Sequence, residues 1–522
     1  MLFNSITFFV FIGIFLPVYF ALKGKMRLLW CLMGSYFFYG FWDYRFLSLI
    51  IISTLIDYSV GLLLQGEEHS KKRKQLLVVS LIINLGFLGF FKYFNFFVDS
   101  FATMLISFGL SPSLHTLNII LPVGISFYTF QSMSYTIDVY FKKIPVETSF
   151  LRFATFIAFF PQLVAGPIVR AKEFLPQFRT DKPFDWNRFN SGSGQMLWGF
   201  FKKIVVADSL APFVDICFET PAAFSSMQLL MGVFFYSFQI YCDFSGYSDI
   251  AIGLARIMGF DFPENFRTPY FSKNFSEFWQ RWHITLSRWL RDYLYIPLGG
   301  NRAGSFGSYF FPLFFMGVAI LVTGWWWLLL INGALIVYAW LYMRQSDAHK
   351  VIMFTYLNNM ATMLLGGLWH GASYAFLFWG FLHGLYLIVQ RLAGPYFGQI
   401  MRKMHLPKLG RDVINILLVY TFTCLAWIFF RATDFSIAIA IIEGILKLEN
   451  FTFGSIVNKF WFINGLLVIA LLLAVEIADF KLDFGSLVKK QPVFRAISFA
   501  TVLMLIAFLG TFGSNAFIYF VF

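Results

Sequence analysis

Apolar residues in this chain come in blocks of about 20, and that block length decides most of what the chain can fold into. Wound as a helix, a block of that length crosses a hydrocarbon layer about 30 Å thick. No water reaches a peptide group there, so each block must close its own backbone hydrogen bonds. Of the 522 residues 59% are hydrophobic and only 13% are charged, against roughly 25% charged in soluble domains. The expected fold is an all-α polytopic membrane protein. It would have about 12–14 transmembrane or re-entrant helices, plus a cytoplasmic interfacial amphipathic helix, around a central tunnel. Residues 1–522 read as a single membrane domain.

The net charge of +13 sits in the loops between blocks, as expected of cytoplasmic loops facing anionic lipid. No basic stretch stands clear of a hydrophobic block, which argues against a nucleic-acid partner and for membrane lipids. Lys23, Lys25 and Arg27 place the far end of the first block in the cytoplasm. The N-terminal block lacks a basic leader and a small-residue cleavage site, and reads as a retained span. GEEHSKKRKQ (66–75) falls inside, the uncharged LSPSLHTLN (110–118) outside and FKKIPVE (141–147) inside. Carried to the end, the alternation puts the C-terminus outside.

The segment 151–169 breaks this pattern, because basic residues flank it on both sides. Pro161, Gly166 and Pro167 interrupt its helix, and irregular backbone at membrane depth needs protein or water around it. A re-entrant element lining a cavity is expected. Two apolar stretches, 308–344 and 353–391, are each long enough for a helical hairpin. Cys31, Cys217, Cys242 and Cys424 show no CxxC spacing, so neither a disulfide framework nor a zinc site is expected.

Residues 276–295, SEFWQRWHITLSRWLRDYLY, carry Phe278, Trp282, Leu286, Trp289 and Tyr293 at steps of three and four, an amphipathic helix at the membrane surface. Arg281, Arg288 and Arg291 fall on the opposite side, where guanidinium groups can hold phosphates bidentately. On the wheel His283 lies at the edge of the apolar stripe, either a boundary residue or one facing a donor's way in. A second histidine, His370, lies inside an apolar block, where an ionisable group is costly and defaults to a functional candidate. An imidazole there suits a general base that takes a hydroxyl proton as the oxygen attacks a thioester. Gly366, Gly367 and Gly371 allow close backbone approach, as a narrow tunnel requires. His383, 13 residues on, faces nearly the other way on a continuous helix, so no metal pair forms there. Asp243, in CDFSGYSD with Ser245 and Asp249, can orient a histidine or pair with the arginines of the amphipathic helix. Asn358 and Asn359 can polarise a carbonyl only if the chain folds back toward His370.

FWQRWHITLSRWLRDYLYIPLGGNR (278–302) and LGGLWHGASYAFLFWGFLHG (365–384) closely resemble the membrane-bound O-acyltransferase family. Within it, FFPQLVAGPIVR (159–170) and 241–275 look most like the bacterial branch that O-acetylates alginate. The resemblance implies His370 as the catalytic histidine and His283 as the second, cytoplasm-side one. It implies acetyl-CoA as the cytoplasmic donor with no permanently bound cofactor. It also implies an extracytoplasmic polysaccharide acetyltransferase as partner and an inner-membrane location. One departure is an extra hydrophobic hairpin at about 303–355, with Trp325, Trp326 and Trp327. The tail FIYFVF resembles tails of this branch, which implies Tyr519 as an acyl carrier between Phe517 and Phe522. Peptidoglycan O-acetylation, a lipid or protein O-acyltransferase, and a transporter or flippase are the alternatives.

Overall fold

The computed structural model describes residues 1–113, 115–448, 459–482, 491–512 and 517–518, and among these every regular element is a helix. In chain order they are α1 (Ile6–Ala21), α2 (Gly24–Asp43), α3 (Leu47–Gly66), α4 (Ser70–Leu88) and α5 (Phe94–Ser107). Next come α6 (Ile125–Tyr140), α7 (Phe150–Ala158), α8 (Phe160–Leu163), α9 (Ala171–Phe174), α10 (Trp186–Phe200), α11 (Asp208–Glu219) and α12 (Ser226–Ile257). α13 (Phe275–Arg281), α14 (Ile284–Leu290), α15 (Phe306–Thr323), α16 (Leu328–Gln345), α17 (Asp347–His370) and α18 (Tyr374–Lys403) follow. The last are α19 (Lys408–Arg431), α20 (Phe435–Leu446), α21 (Lys459–Leu482) and α22 (Pro492–Leu509).

Eight runs among the described residues are long and apolar enough to cross a membrane, and the protein is a multi-pass membrane protein. Two of those runs, 24–66 and 70–107, hold two helices each, and three further apolar helices are 10–17 residues long. The segment with Pro161 is interrupted as its sequence requires. It forms α7, of nine residues, and α8, of four, both too short to cross a bilayer. Its residues 153–169 are buried in protein, which is where irregular backbone is tolerated.

The chain divides into two compact units, one of 1–88, 121–266 and 443–522, the other of 89–120 and 267–442. In the first, α10 and α12 meet backbone to backbone. A Cβ on Gly199 would stand 2.6 Å from the Gly246 carbonyl, so the contact admits only glycine. Small residues at a helix contact are how membrane helices gain packing where burial from water is no longer the driving force. Polar groups tie the rest of this unit together. Asp57 on α3, fully buried, accepts from Asn84 on α4 (2.9 Å), from Thr136 on α6 (3.1 Å), and from Ser80 and Ser132.

Asp243 belongs to the same class and corrects the expectation from its sequence. It pairs with Lys203 (2.7 Å), which also holds Asp208 (2.8 Å), and not with an arginine of the amphipathic segment. Its second oxygen accepts the backbone N–H of Ile518 at 2.8 Å, while the Lys203 ammonium lies 4.5 Å from the Phe517 ring centre. A buried ion cluster thus seats residues 517–518. Neighbouring Asp249 pairs with Lys202 and accepts from Gln195. Tyr519 lies outside the described residues.

In the second unit α15 and α16 lie side by side, and both pack against α17. α17 and α18 form a hairpin, with His370 the last residue of α17. Their contact is set by glycine too: a Cβ on Gly380 would sit 2.3 Å from the Met363 carbonyl, and one on Gly367 2.3 Å from the Phe376 carbonyl. Gly367, three residues before His370, thus serves the contact of α17 with α18.

Candidate active site

His370 ends a 24-residue helix and is 3% exposed. The Ser373 hydroxyl caps α18 by accepting the Phe376 N–H (3.3 Å), so a sharp, defined turn fixes the ends of both helices. Around the His370 ring stand Trp379 of α18, Trp369 and Phe430 of α19, with ring centres at 4.9, 5.0 and 5.1 Å.

His283 comes to the same place: its ring centre is 6.4 Å from that of His370 and 5.8 Å from that of Trp369. The single amphipathic helix expected over 276–295 is broken to achieve this. α13 ends at Arg281, His283 takes φ of 42°, and α14 begins at Ile284. A left-handed conformation at a non-glycine residue costs on the order of 1–3 kcal/mol and collects at functional sites. It turns His283 inward to full burial, where a wheel drawn on a continuous helix left it at an edge. Burial pushes its imidazole down to about 3, so at neutral pH the ring carries no charge. The aromatic row is corrected likewise. Phe278, Trp282 and Trp289 are buried in protein, not laid in the lipid boundary, with Trp282 4.8 Å from the Trp427 ring centre.

The arginines fare differently from one another. Arg281 bonds Glu277 at 2.9 Å and Arg291 bonds Asp292 at 2.7 Å, while Arg288 is exposed. Asn358 lies twelve residues before His370 on an unbroken helix, about 18 Å along its axis. Its amide donates to the carbonyls of Gly300 (2.9 Å) and Ala303 (3.1 Å) and so pins the GGNR turn. The chain does not fold back, and the condition for an oxyanion role at Asn358 and Asn359 is not met.

Two groups escaped the reading of the sequence. Lys92, in a π turn over Gly89–Tyr93, donates to the carbonyls of Trp369 (2.6 Å) and His370 (3.0 Å), and Tyr93 donates to that of Leu368 (2.7 Å). Lys92, like His370, is an ionisable group in an apolar block, the signal that marks a functional candidate. Lys92 also walls a cavity of about 340 Å³ with Asn95, Asp99, Ser100, Thr103 and Tyr374, which reaches Ala372. The second group is a face of α18: Trp379, His383, Tyr386 and Gln390, at steps of four, three and four. His383 is fully buried against Trp379 (4.7 Å) and Trp279 (5.0 Å). Among the described residues neither of its ring nitrogens has a hydrogen-bond partner, nor has the indole N–H of Trp279, Trp379 or Trp427, nor the Tyr386 hydroxyl. The described residues contain no group of three or more His, Cys, Asp or Glu placed to hold a metal.

The profile of the MBOAT, membrane-bound O-acyltransferase family, matches residues 141–341. A probable alginate O-acetylase of Pseudomonas putida is 40% identical over 398 residues, 76% of this chain and 71% of its own. The chain belongs to the membrane-bound O-acyltransferase family. A probable alginate O-acetylase of Pseudomonas aeruginosa is 37% identical over 87% of this chain and 76% of its own length. A peptidoglycan O-acetyltransferase of Helicobacter pylori is 34% identical over 84% of this chain and 79% of its own. This chain is accordingly an acyltransferase, as the sequence suggested, and the transporter reading falls away.

Proposed function

We propose that this membrane-bound O-acyltransferase takes acetyl from acetyl-CoA at the cytoplasmic side of the inner membrane. It passes the group outward for O-acetylation of an exported polysaccharide, alginate or one like it. The observation that carries this reading is the pair His370 and His283, buried within 6.4 Å of each other among aromatic rings. In the proposed step a hydroxyl oxygen attacks the thioester carbonyl while His370 takes the hydroxyl proton. The C–S bond breaks, and the proton passes from the imidazolium to the CoA thiolate. Tyr519 is the proposed receiving hydroxyl in this chain, and an extracytoplasmic acetyltransferase completes delivery to the sugar.

The donor path we favour runs along α18. From Trp379, beside His370, to Gln390 is about 16 Å of helix, and Gln390 accepts the Phe275 N–H at 2.5 Å where α13 starts. Buried donors without partners along a path lined by rings suit the amides of a pantetheine arm, since such groups are costly when left unmatched. Among the three arginines Arg288, exposed and without a carboxylate partner among the described residues, is the favoured phosphate contact. Peptidoglycan is the second reading for the acceptor, favoured by the Helicobacter pylori relative.

The test uses proteoliposomes containing the full chain and the partner enzyme. Labelled acetyl-CoA is supplied on one side, with mannuronate oligomers or peptidoglycan fragments on the other. Ester-bound label should appear on the oligomers from acetyl-CoA and not from palmitoyl-CoA. Preference for palmitoyl-CoA, or label on lipid alone, would overturn the reading. Mass spectrometry of the C-terminal peptide should show an added acetyl that Tyr519→Phe lacks.

A further inference from the structure

The last four carbonyls of an α-helix have no N–H of their own helix to accept from. At the end of α17 all four are nonetheless occupied. The Gly367 carbonyl accepts the Gly371 N–H (3.4 Å), that of Leu368 the Tyr93 hydroxyl (2.7 Å), and those of Trp369 and His370 the Lys92 ammonium (2.6 and 3.0 Å). Three of the four carbonyls are held by two consecutive side chains in one π turn. Turns of that kind are rare and gather at functional sites. The ammonium also stands at the negative end of the helix dipole, 5.9 Å from the Trp369 ring centre. Lys92 lies well past the basic start of the run 70–107 (Lys71, Lys72, Arg73 and Lys74), among apolar residues, where a lysine is costly to place. Helix capping alone does not call for one, since water or a hydroxyl serves at most helix ends.

We propose that Lys92, assisted by Tyr93, is a positioning residue that fixes the final turn of α17 and so aims the His370 imidazole. This rests on His370 being the base. The clamp holds the backbone of the very residue whose ring must meet the reacting hydroxyl. Its lysine also forms part of the wall of the 340 Å³ cavity that reaches Ala372, two residues beyond His370. Without the clamp three carbonyls lose their partners and the last turn frays. A displacement of about 1 Å at a catalytic group costs on the order of 10²-fold in rate. Arginine, which keeps the charge and several donors, should hold the same carbonyls.

The experiment measures esterification of label from acetyl-CoA by the full chain in membrane vesicles, for variants at 92, 93 and 370. Lys92→Met should lower kcat about 10²-fold with KM for acetyl-CoA unchanged, and Lys92→Arg should recover most of the loss. Placed in a His370→Ala background, Lys92→Met should cost nothing further, because its effect passes through the imidazole. A Lys92→Met enzyme with wild-type kcat would overturn the proposal. So would losses that multiply with those of His370→Ala. Should Lys92→Met not accumulate in the membrane, Tyr93→Phe decides: it should lower kcat without changing KM, and an unchanged kcat counts against the clamp. Failure of the underlying reading looks different, because His370→Ala itself would then turn over normally.

Discussion

Lys203 carries one positive charge between two buried carboxylates, Asp208 and Asp243. Lys203→Met would leave two buried carboxyls without their cation, and breaking a buried pair costs about 3–5 kcal/mol. We expect a marked fall in thermal stability in detergent, and a much smaller one for Asp243→Asn, which keeps a group able to accept the Ile518 N–H. A stability unchanged by Lys203→Met would show that the cluster is not held as an ion pair. His370 was legible because a lone ionisable residue in an apolar block has few structural excuses. Lys92 obeys the same rule, but a topology drawn from the basic loop 66–75 to the uncharged loop 110–118 passes over it. Asp243 reads as a carboxylate in need of a partner, yet that partner, 40 residues away, lies beyond the reach of local patterning.

Elements were legible wherever a single period ran through them, and misread where the backbone changes hand. The aromatic spacing of 276–295 is helical on both sides of His283, and nothing in it marks the left-handed residue between α13 and α14. That burial has a consequence for stability. The His283 ring drops from an ordinary 6.5 to about 3 in the folded protein. Its contribution is complete above pH 6.5 and is lost as pH falls toward 3, at about 1.4 kcal/mol per pH unit. Thermal melts between pH 7 and pH 4 should therefore fall less steeply for His283→Gln than for wild type, and equal slopes would contradict the burial. At the α17–α18 contact Gly380→Ala places a methyl 2.3 Å from a carbonyl. We expect about 1–3 kcal/mol of destabilisation and reduced turnover, because His370 rides on that contact. Full activity in Gly380→Ala would mean the helices part without moving the site.

Large apolar side chains stay exposed on helices such as α16 and α22, in whose membrane-crossing stretches no residue is fully buried in protein. Such surfaces are stable only in lipid, so alkaline carbonate should leave the protein in the membrane fraction, and release into the supernatant would contradict a multi-pass fold. Block length and charge alternation made the class legible because the bilayer imposes both. The division into two compact units was not, since it depends on which helices pair across long stretches of chain. Above all we propose that the His370 imidazole takes the proton when acetyl leaves its thioester. The most direct test is single-turnover CoA release from acetyl-CoA by wild type and His370→Ala, with acetyl-CoA affinity measured alongside. The account predicts a fall of about 10²–10⁴-fold in rate at unchanged affinity; release at the wild-type rate would contradict it.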